Sequence, residues 1–232
     1  MLTLRPANER GHADHGWLDT YHTFSFNTYY DENHMGFRAL RVINDDRVQA
    51  GRGFDWHSHR DMEIITYVLE GALEHKDSMG NGSVVKPGDV QFMSAGNGVM
   101  HSEFNPSDKE PVHLLQIWIH PDSRGGVPGY AQKTWSNDEK LNRQCLIVSP
   151  GGDQGSLTIK QDARVYATIL EKGAAIHIPL DVERHAWLHL ARGNLQLGQY
   201  RLNSGDGVAI SGEDGIELAG LDASEFLFFD LA

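Results

Sequence analysis

Gly51-Arg52-Gly53-Phe54-Asp55-Trp56-His57-Ser58-His59-Arg60-Asp61-Met62-Glu63-Ile64-Ile65-Thr66-Tyr67-Val68-Leu69-Glu70-Gly71 contains two strand patterns in succession. His57 and His59 stand two apart, and a β-strand sends alternate side chains to the same face, so both imidazoles aim into one interior. The run from Met62 to Leu69 is branched and aromatic and stops at Glu70-Gly71, as a buried strand stops at a turn. A second pair, His101-Ser102-Glu103, repeats the i, i+2 spacing further along the chain. Two neighbouring strands giving two donors each supply three imidazoles and a carboxylate, a set suited to one metal ion.

The rest of the chain carries the same β signature. Residues 38–43, 112–119 and 225–231 are short runs rich in branched and aromatic side chains. Turn signals recur at Asn44-Asp45-Asp46, Gly80-Asn81-Gly82, Pro87-Gly88-Asp89 and Gly96-Asn97-Gly98. The chain has 25 glycines in 232 residues and no long segment with a 3.6 period, which points to barrels or sandwiches rather than a helix bundle. A short helical turn is expected near Ser136–Leu141, capped by Ser136 or Asn137.

Pro121, Gly125-Gly126 and Pro128 mark the stretch from Asp122 to Asn137 as a connection. The expected organisation is a lobe over 1–122, a connection over 123–137 and a second lobe over 138–232. The lobes echo each other. Tyr67 to Gly71 followed by Lys86-Pro87-Gly88-Asp89 is matched by Leu188 to Gly193 followed by Asn203-Ser204-Gly205-Asp206, which reads as a duplicated barrel unit. Counting back from Gly193 as from Gly71 reaches Pro179 and Asp181 instead of histidines. His177, His185 and His189 show no ligand spacing. The second lobe is therefore expected to lack the metal.

The net charge is −12, and such a surface repels phosphate backbones and anionic membranes, so direct nucleic-acid contact is not expected. No apolar stretch approaches the length of a membrane span, and no leader pattern opens the chain. Cys145 is the single cysteine and reads as a small apolar filler. A reducing cytoplasm fits these features.

Gly51 to Gly71 resembles the first motif of the cupin superfamily, and Gly88 to Asn105 resembles the second. The nearer resemblance is to the pirin family of two-lobed cupins. It is carried by His57-Ser58-His59-Arg60-Asp61-Met62-Glu63, by Tyr67-Val68-Leu69-Glu70-Gly71 and by Ser94 to Glu103, with Arg10 to Asp19 and His22 to Phe26 similar to bacterial members. The resemblance implies an all-β bicupin of two antiparallel jelly-roll barrels with few short helices. It implies His57, His59, His101 and Glu103 as ligands of one divalent metal, with Fe(II) expected first and Zn, Mn, Co, Ni or Cu open alternatives.

It further implies a quercetin 2,3-dioxygenase activity, in which a flavonol-like molecule meets O₂, the ring opens and CO leaves. Glu103 is the candidate base for the flavonol hydroxyl. Phe54, Trp56, Phe92, Met93 and Trp118 are candidates for pocket walls or for barrel core. Glu63 shares the parity of His57 and His59 if the strand is unbroken; it either orients a ligating imidazole or is an ordinary exposed or paired carboxylate. The alternative function is a non-enzymatic metal- or redox-sensing regulator that binds a protein partner.

Overall fold

The computed structural model describes residues 1–232, and its 22 strands, numbered here in chain order, make up nearly all the regular structure. They form two compact units. The first comprises Gly11–Trp135 with Ile159–Gln161; the second comprises Met1–Arg10, Ser136–Thr158 and Asp162–Ala232.

In the first unit a seven-stranded sheet runs in the order β12 (Gly129–Thr134), β9 (Asp89–Ser94), β6 (Glu63–Glu70), β11 (Val112–Ile119), β4 (Leu40–Val48), β3 (Leu18–His22), β2 (Gly11–Asp14). A four-stranded sheet runs β5 (Gly53–His59), β10 (Val99–Phe104), β7 (Leu73–Asp77), β8 (Gly82–Val85). Val48, Val68, Leu73, Val85, Val112 and Leu114 pack between strands of both sheets, and Ile64, Met93, Ala95 and Val99 form a separate apolar cluster. The rest of this interior is polar, which is where the candidate site sits.

The second unit repeats the plan. Its seven-stranded sheet runs β1 (Leu2–Arg5), β20 (Gly207–Ser211), β17 (His185–Arg192), β22 (Ser224–Leu231), β15 (Ala163–Leu170), β13 (Cys145–Ser149), β14 (Leu157–Thr158). Its four-stranded sheet runs β16 (Ala175–Pro179), β21 (Gly215–Gly220), β18 (Asn194–Leu197), β19 (Tyr200–Asn203). One continuous core joins them, including Ile178, Leu188, Leu195, Val208, Ile216, Leu218 and Phe228. Every pairing is antiparallel except β13 with β14. The chain is an all-β protein of two cupin-type lobes.

The expected echo has a backbone basis. Gly71 and Gly88 in one unit and Gly193 and Gly205 in the other all hold positive φ, between 75° and 95°. A Cβ at Gly193 would lie 2.4 Å from the Ala223 carbonyl, so the turn after β17 needs glycine on both counts.

The unit boundaries differ from the sequence expectation at three places, one being Ile159–Gln161, expected in the second lobe but part of the first unit. The segment expected as a connection contains β12, which pairs with β9 as the edge of the first sheet. Residues 2–5, expected in the first lobe, are β1, which pairs with β20 in the second unit. Edge strands need only one ladder of backbone hydrogen bonds, so Gly129-Tyr130-Ala131-Gln132-Lys133-Thr134 carries no strong hydrophobic pattern to announce itself. The expected helical turn is present as α1 (Asn137–Lys140). Ser136 caps it in a reciprocal box: its hydroxyl accepts the Glu139 N–H, and its own N–H donates to the Glu139 carboxylate at 2.7 Å.

Candidate metal centre

β5 and β10 pair so that His57 lies opposite His101 and His59 opposite Val99. The register slips before Glu103, which lies opposite Phe54, leaving Asp55 and Trp56 together across from Ser102. That is a β-bulge on β5, and bulges re-aim side chains. Here it brings the Asp55 carbonyl to 2.7 Å from His57 Nδ1, which donates to it and leaves Nε2 as the bare nitrogen. On its other side β10 pairs regularly with β7, so His101 and Glu103 keep the shared face that their spacing gives them.

The three imidazoles converge. Ring centroids are 4.8 Å apart for His57 and His59, 4.3 Å for His57 and His101, and 4.8 Å for His59 and His101. Donor atoms of His57, His59 and His101 all lie within 4.8 Å of one another, and those of His75, His101 and Glu103 form an overlapping group of the same size. His101 Nε2 is buried without a hydrogen-bond partner. A buried orphan nitrogen is costly unless something binds it, and an imidazole lone pair in a cluster of imidazoles fits a divalent cation. The donor set thus suits the metal that the sequence implied.

Electrostatics agree. Burial, with His57 adding to it, lowers the His59 pKa to about 4. Burial and the neighbouring imidazoles hold His101 far below the usual range. Both are neutral at pH 7, the form that ligates. Burial raises Glu103 to about 7, opposed by the Gln91 hydrogen bond, assisted by Asp46 and opposed again by Thr66 and Gln116. Its Oε2 accepts from Gln116 Nε2 at 2.8 Å, and its Oε1 faces Gln91 Nε2 at 3.3 Å and Thr66 Oγ1 at 3.4 Å. These donors stand on β11, β9 and β6, in adjacent strands of the large sheet.

A cavity of about 720 Å³ is lined by His57, His59 and Glu103. Trp17, Phe26, Phe54 and Trp118 supply aromatic walls, and Thr20, Asn44, Asp46 and Gln116 supply polar ones. The size and the mixture suit a small organic molecule. Trp118 meets His59 edge-on at 4.9 Å. Of the five side chains weighed as wall or core, Phe54 and Trp118 line the cavity, Phe92 and Met93 are core, and Trp56 faces outward at 52% exposure.

Glu63 takes the second of its two readings. The chain turns at Arg60–Met62, with Asp61 at φ 51°, so Glu63 begins β6 in the other sheet and the parity argument stops there. Its carboxylate is buried and accepts from Ser94 Oγ at 2.6 Å and from the Lys160 backbone N–H at 3.1 Å. It fastens the Ile159–Gln161 segment to the first unit.

Thr66, Gln91 and Gln116 around Glu103, and His75 beside His101, belong to no motif of the sequence. Their only sequence signal is a polar residue at a core position of an apolar strand. The other histidines of this unit are largely satisfied by polar neighbours: His12 by Asp19 and His34 by Asp31 at 2.7 Å, His113 by Asp45 at 2.7 Å, and His22 by Asn44 at 2.8 Å.

Comparison with known proteins places these features in a group. A family model described as Pirin matches residues 3–119, and one described as Quercetinase C-terminal cupin domain matches residues 146–231. A quercetin 2,3-dioxygenase of Escherichia coli K12 is 48% identical over 231 residues, covering 100% of this chain and 99% of that protein. A pirin-like protein of Caulobacter vibrioides is 40% identical over 233 residues, covering 100% of both. The crystal structure of a bacterial pirin from Escherichia coli in complex with nickel(II) superposes with a TM-score of 0.95 at 48% identity, covering 100% of this chain and 99% of that one.

Proposed function

The chain belongs to the pirin family, and from that premise we propose that it is a metal-dependent dioxygenase that opens the ring of flavonols such as quercetin and releases CO. The observation that carries the reading is the convergence of three imidazoles, two of them and the Glu103 carboxyl on the wall of an aromatic-lined cavity. His57, His59, His101 and Glu103 would hold the metal. The second barrel, whose core is apolar, would hold none.

A divalent metal bound there supplies a Lewis-acidic, redox-capable centre at which an organic oxygen and O₂ can meet. The protein's own contribution begins with the aromatic walls. Phe54 and Trp118 favour a flat ring system, and Thr20, Asn44 and Asp46 offer hydrogen-bond partners for its hydroxyls. Glu103, the one carboxyl among the implied ligands and buried on the cavity wall, would take the proton of the flavonol hydroxyl. With one carboxylate oxygen given to the metal, Glu103 would accept the proton on its other oxygen. Gln91, Thr66 and Gln116 hold the group in place through that exchange. The flavonolate and O₂ would then give CO and a ring-opened product that keeps both atoms of O₂, with the proton held on Glu103 returned to that product.

The test is metal analysis followed by an oxygen electrode and a CO trap. Fe(II)-loaded protein is expected to consume O₂ with quercetin and release CO. Bound metal without O₂ uptake on any flavonol would end the enzyme reading and leave that of a metal-sensing, partner-binding protein.

A further inference from the structure

His101 touches a second imidazole that lies outside both the cavity lining and the implied ligand set. In the β10–β7 ladder His75 stands opposite Glu103, and Asp77 stands opposite His101. Both side chains of the His75–Asp77 pair are fully buried. His75 Nδ1 lies 3.4 Å from His101 Nδ1, and His75 Nε2 lies 3.2 Å from Asp77 Oδ2. Asp77 is itself fixed: Oδ1 accepts the Met79 N–H at 2.9 Å and the Asn81 N–H at 3.0 Å, and Oδ2 accepts Asn81 Nδ2 at 2.8 Å. The His75 ring stacks on Tyr130 with centroids 4.8 Å apart.

Proton counting along this row has one consistent solution for neutral rings. A carboxylate only accepts, so the nitrogen of His75 that faces Asp77 carries a hydrogen. A neutral imidazole has one N–H, so His75 Nδ1 is bare and can only accept. The nitrogen facing it, His101 Nδ1, must then be the N–H. That leaves the lone pair of His101 on Nε2, the buried atom that finds no partner within the protein.

We propose that Asp77 and His75 form a buried brace that fixes His101 as its Nδ1–H tautomer and so presents Nε2 to the metal. They are positioning residues, acting through His101, and the proposal rests on the reading of His101 as a ligand. The brace also explains why a histidine and an aspartate lie fully buried on β7 beside apolar Leu73. A hydrogen bond to the far nitrogen of a ligating imidazole sets its tautomer and raises its basicity, and losing such a partner costs roughly 10–100-fold in metal affinity.

Two measurements test this. In the metal-free wild type, long-range ¹H–¹⁵N spectra should show His101 protonated at Nδ1; protonation at Nε2 would overturn the proposal. In Ni(II) titrations, His75→Leu should weaken binding by roughly 10–100-fold, and His75→Asn, which keeps an acceptor near the Nδ1 position, should recover most of it. Both variants remove the stack on Tyr130, so equal losses would assign the effect to packing and overturn the brace. A wild type that binds no Ni(II) overturns the metal reading itself, and the spectra then still decide the tautomer.

Discussion

Thr66 on β6 stands between Gln91 on β9 and Gln116 on β11, whereas Leu188 on β17 stands between Val208 on β20 and Phe228 on β22. The positions correspond. Thr66 and Leu188 each lie five residues before a positive-φ glycine, and Gln91 and Val208 each lie three residues after one. One barrel thus carries a polar row across three central strands where the other carries hydrocarbon. The small sheets differ in the same sense. β16 and β21 set Ile178 opposite Ile216 and Ile176 opposite Leu218, and these pack into the core, while the exposed His177 and Glu217 pair with each other at 2.7 Å. β5 and β10 set His57 opposite His101.

The difference separates what the fold needs from what the chemistry needs. A cupin barrel closes on an apolar core, as the second unit does with Leu, Ile, Val and Phe side chains. Burying an amide or a carboxyl in such a core costs roughly 1–3 kcal/mol unless it is hydrogen-bonded. In the first unit Thr66, Gln91 and Gln116 are therefore bonded to one another and to Glu103. The polar row is a holder for one carboxyl.

The comparison can be broken at its strongest point by removing His57 and His59 together. The double substitution His57→Ala, His59→Ala should abolish both stoichiometric metal and O₂ uptake on quercetin, with the circular-dichroism melt little changed. A collapse of the fold would show that the first barrel, unlike the second, depends on its ligands to close. Glu103→Gln should reduce kcat on flavonols by about 10²–10⁴-fold, the usual worth of a positioned base, and steady-state rates that match wild type would remove Glu103 from the proton transfer. Leu188→Ala should cost about 2–5 kcal/mol in denaturant unfolding and leave Ni(II) binding unaltered, because the second core supports only its own barrel.

The smallest effect concerns Asp46, whose pKa is raised to about 7 by burial, against its Thr20 hydrogen bond and with help from Asp45. The folded state then holds this proton more tightly than the unfolded chain, so the contribution to stability is present at low pH and is lost as pH rises from the ordinary carboxylate range to about 7. Asp46→Asn in the metal-free protein should therefore raise the melting temperature more at pH 8 than at pH 5. A uniform shift at both would contradict the assignment.

Much of this was legible in the sequence because it is local. The strand at 62–69, the glycine turns and the parity of His57 with His59 each need only neighbouring residues to be read. Four features needed the third dimension. β1 and β12 are edge strands that close sheets built from distant segments. The bulge at Asp55 and Trp56 is set by pairing with Ser102. Glu63 keeps the right parity on paper but lies beyond the turn at Arg60–Met62, which carries it into another sheet. Thr66, Gln91 and Gln116 look like isolated polar interruptions in three apolar runs until the strands are laid side by side.

The polar interior of the first barrel is read as a metal centre, and the apolar interior of the second is not. Anomalous diffraction from crystals soaked in Ni(II) tests it most directly. A single strong peak is expected within about 2.0–2.1 Å of nitrogens of His57, His59 and His101, and none inside the barrel built on Leu188 and Phe228. A peak inside the second barrel, or none among the three histidines, would contradict it.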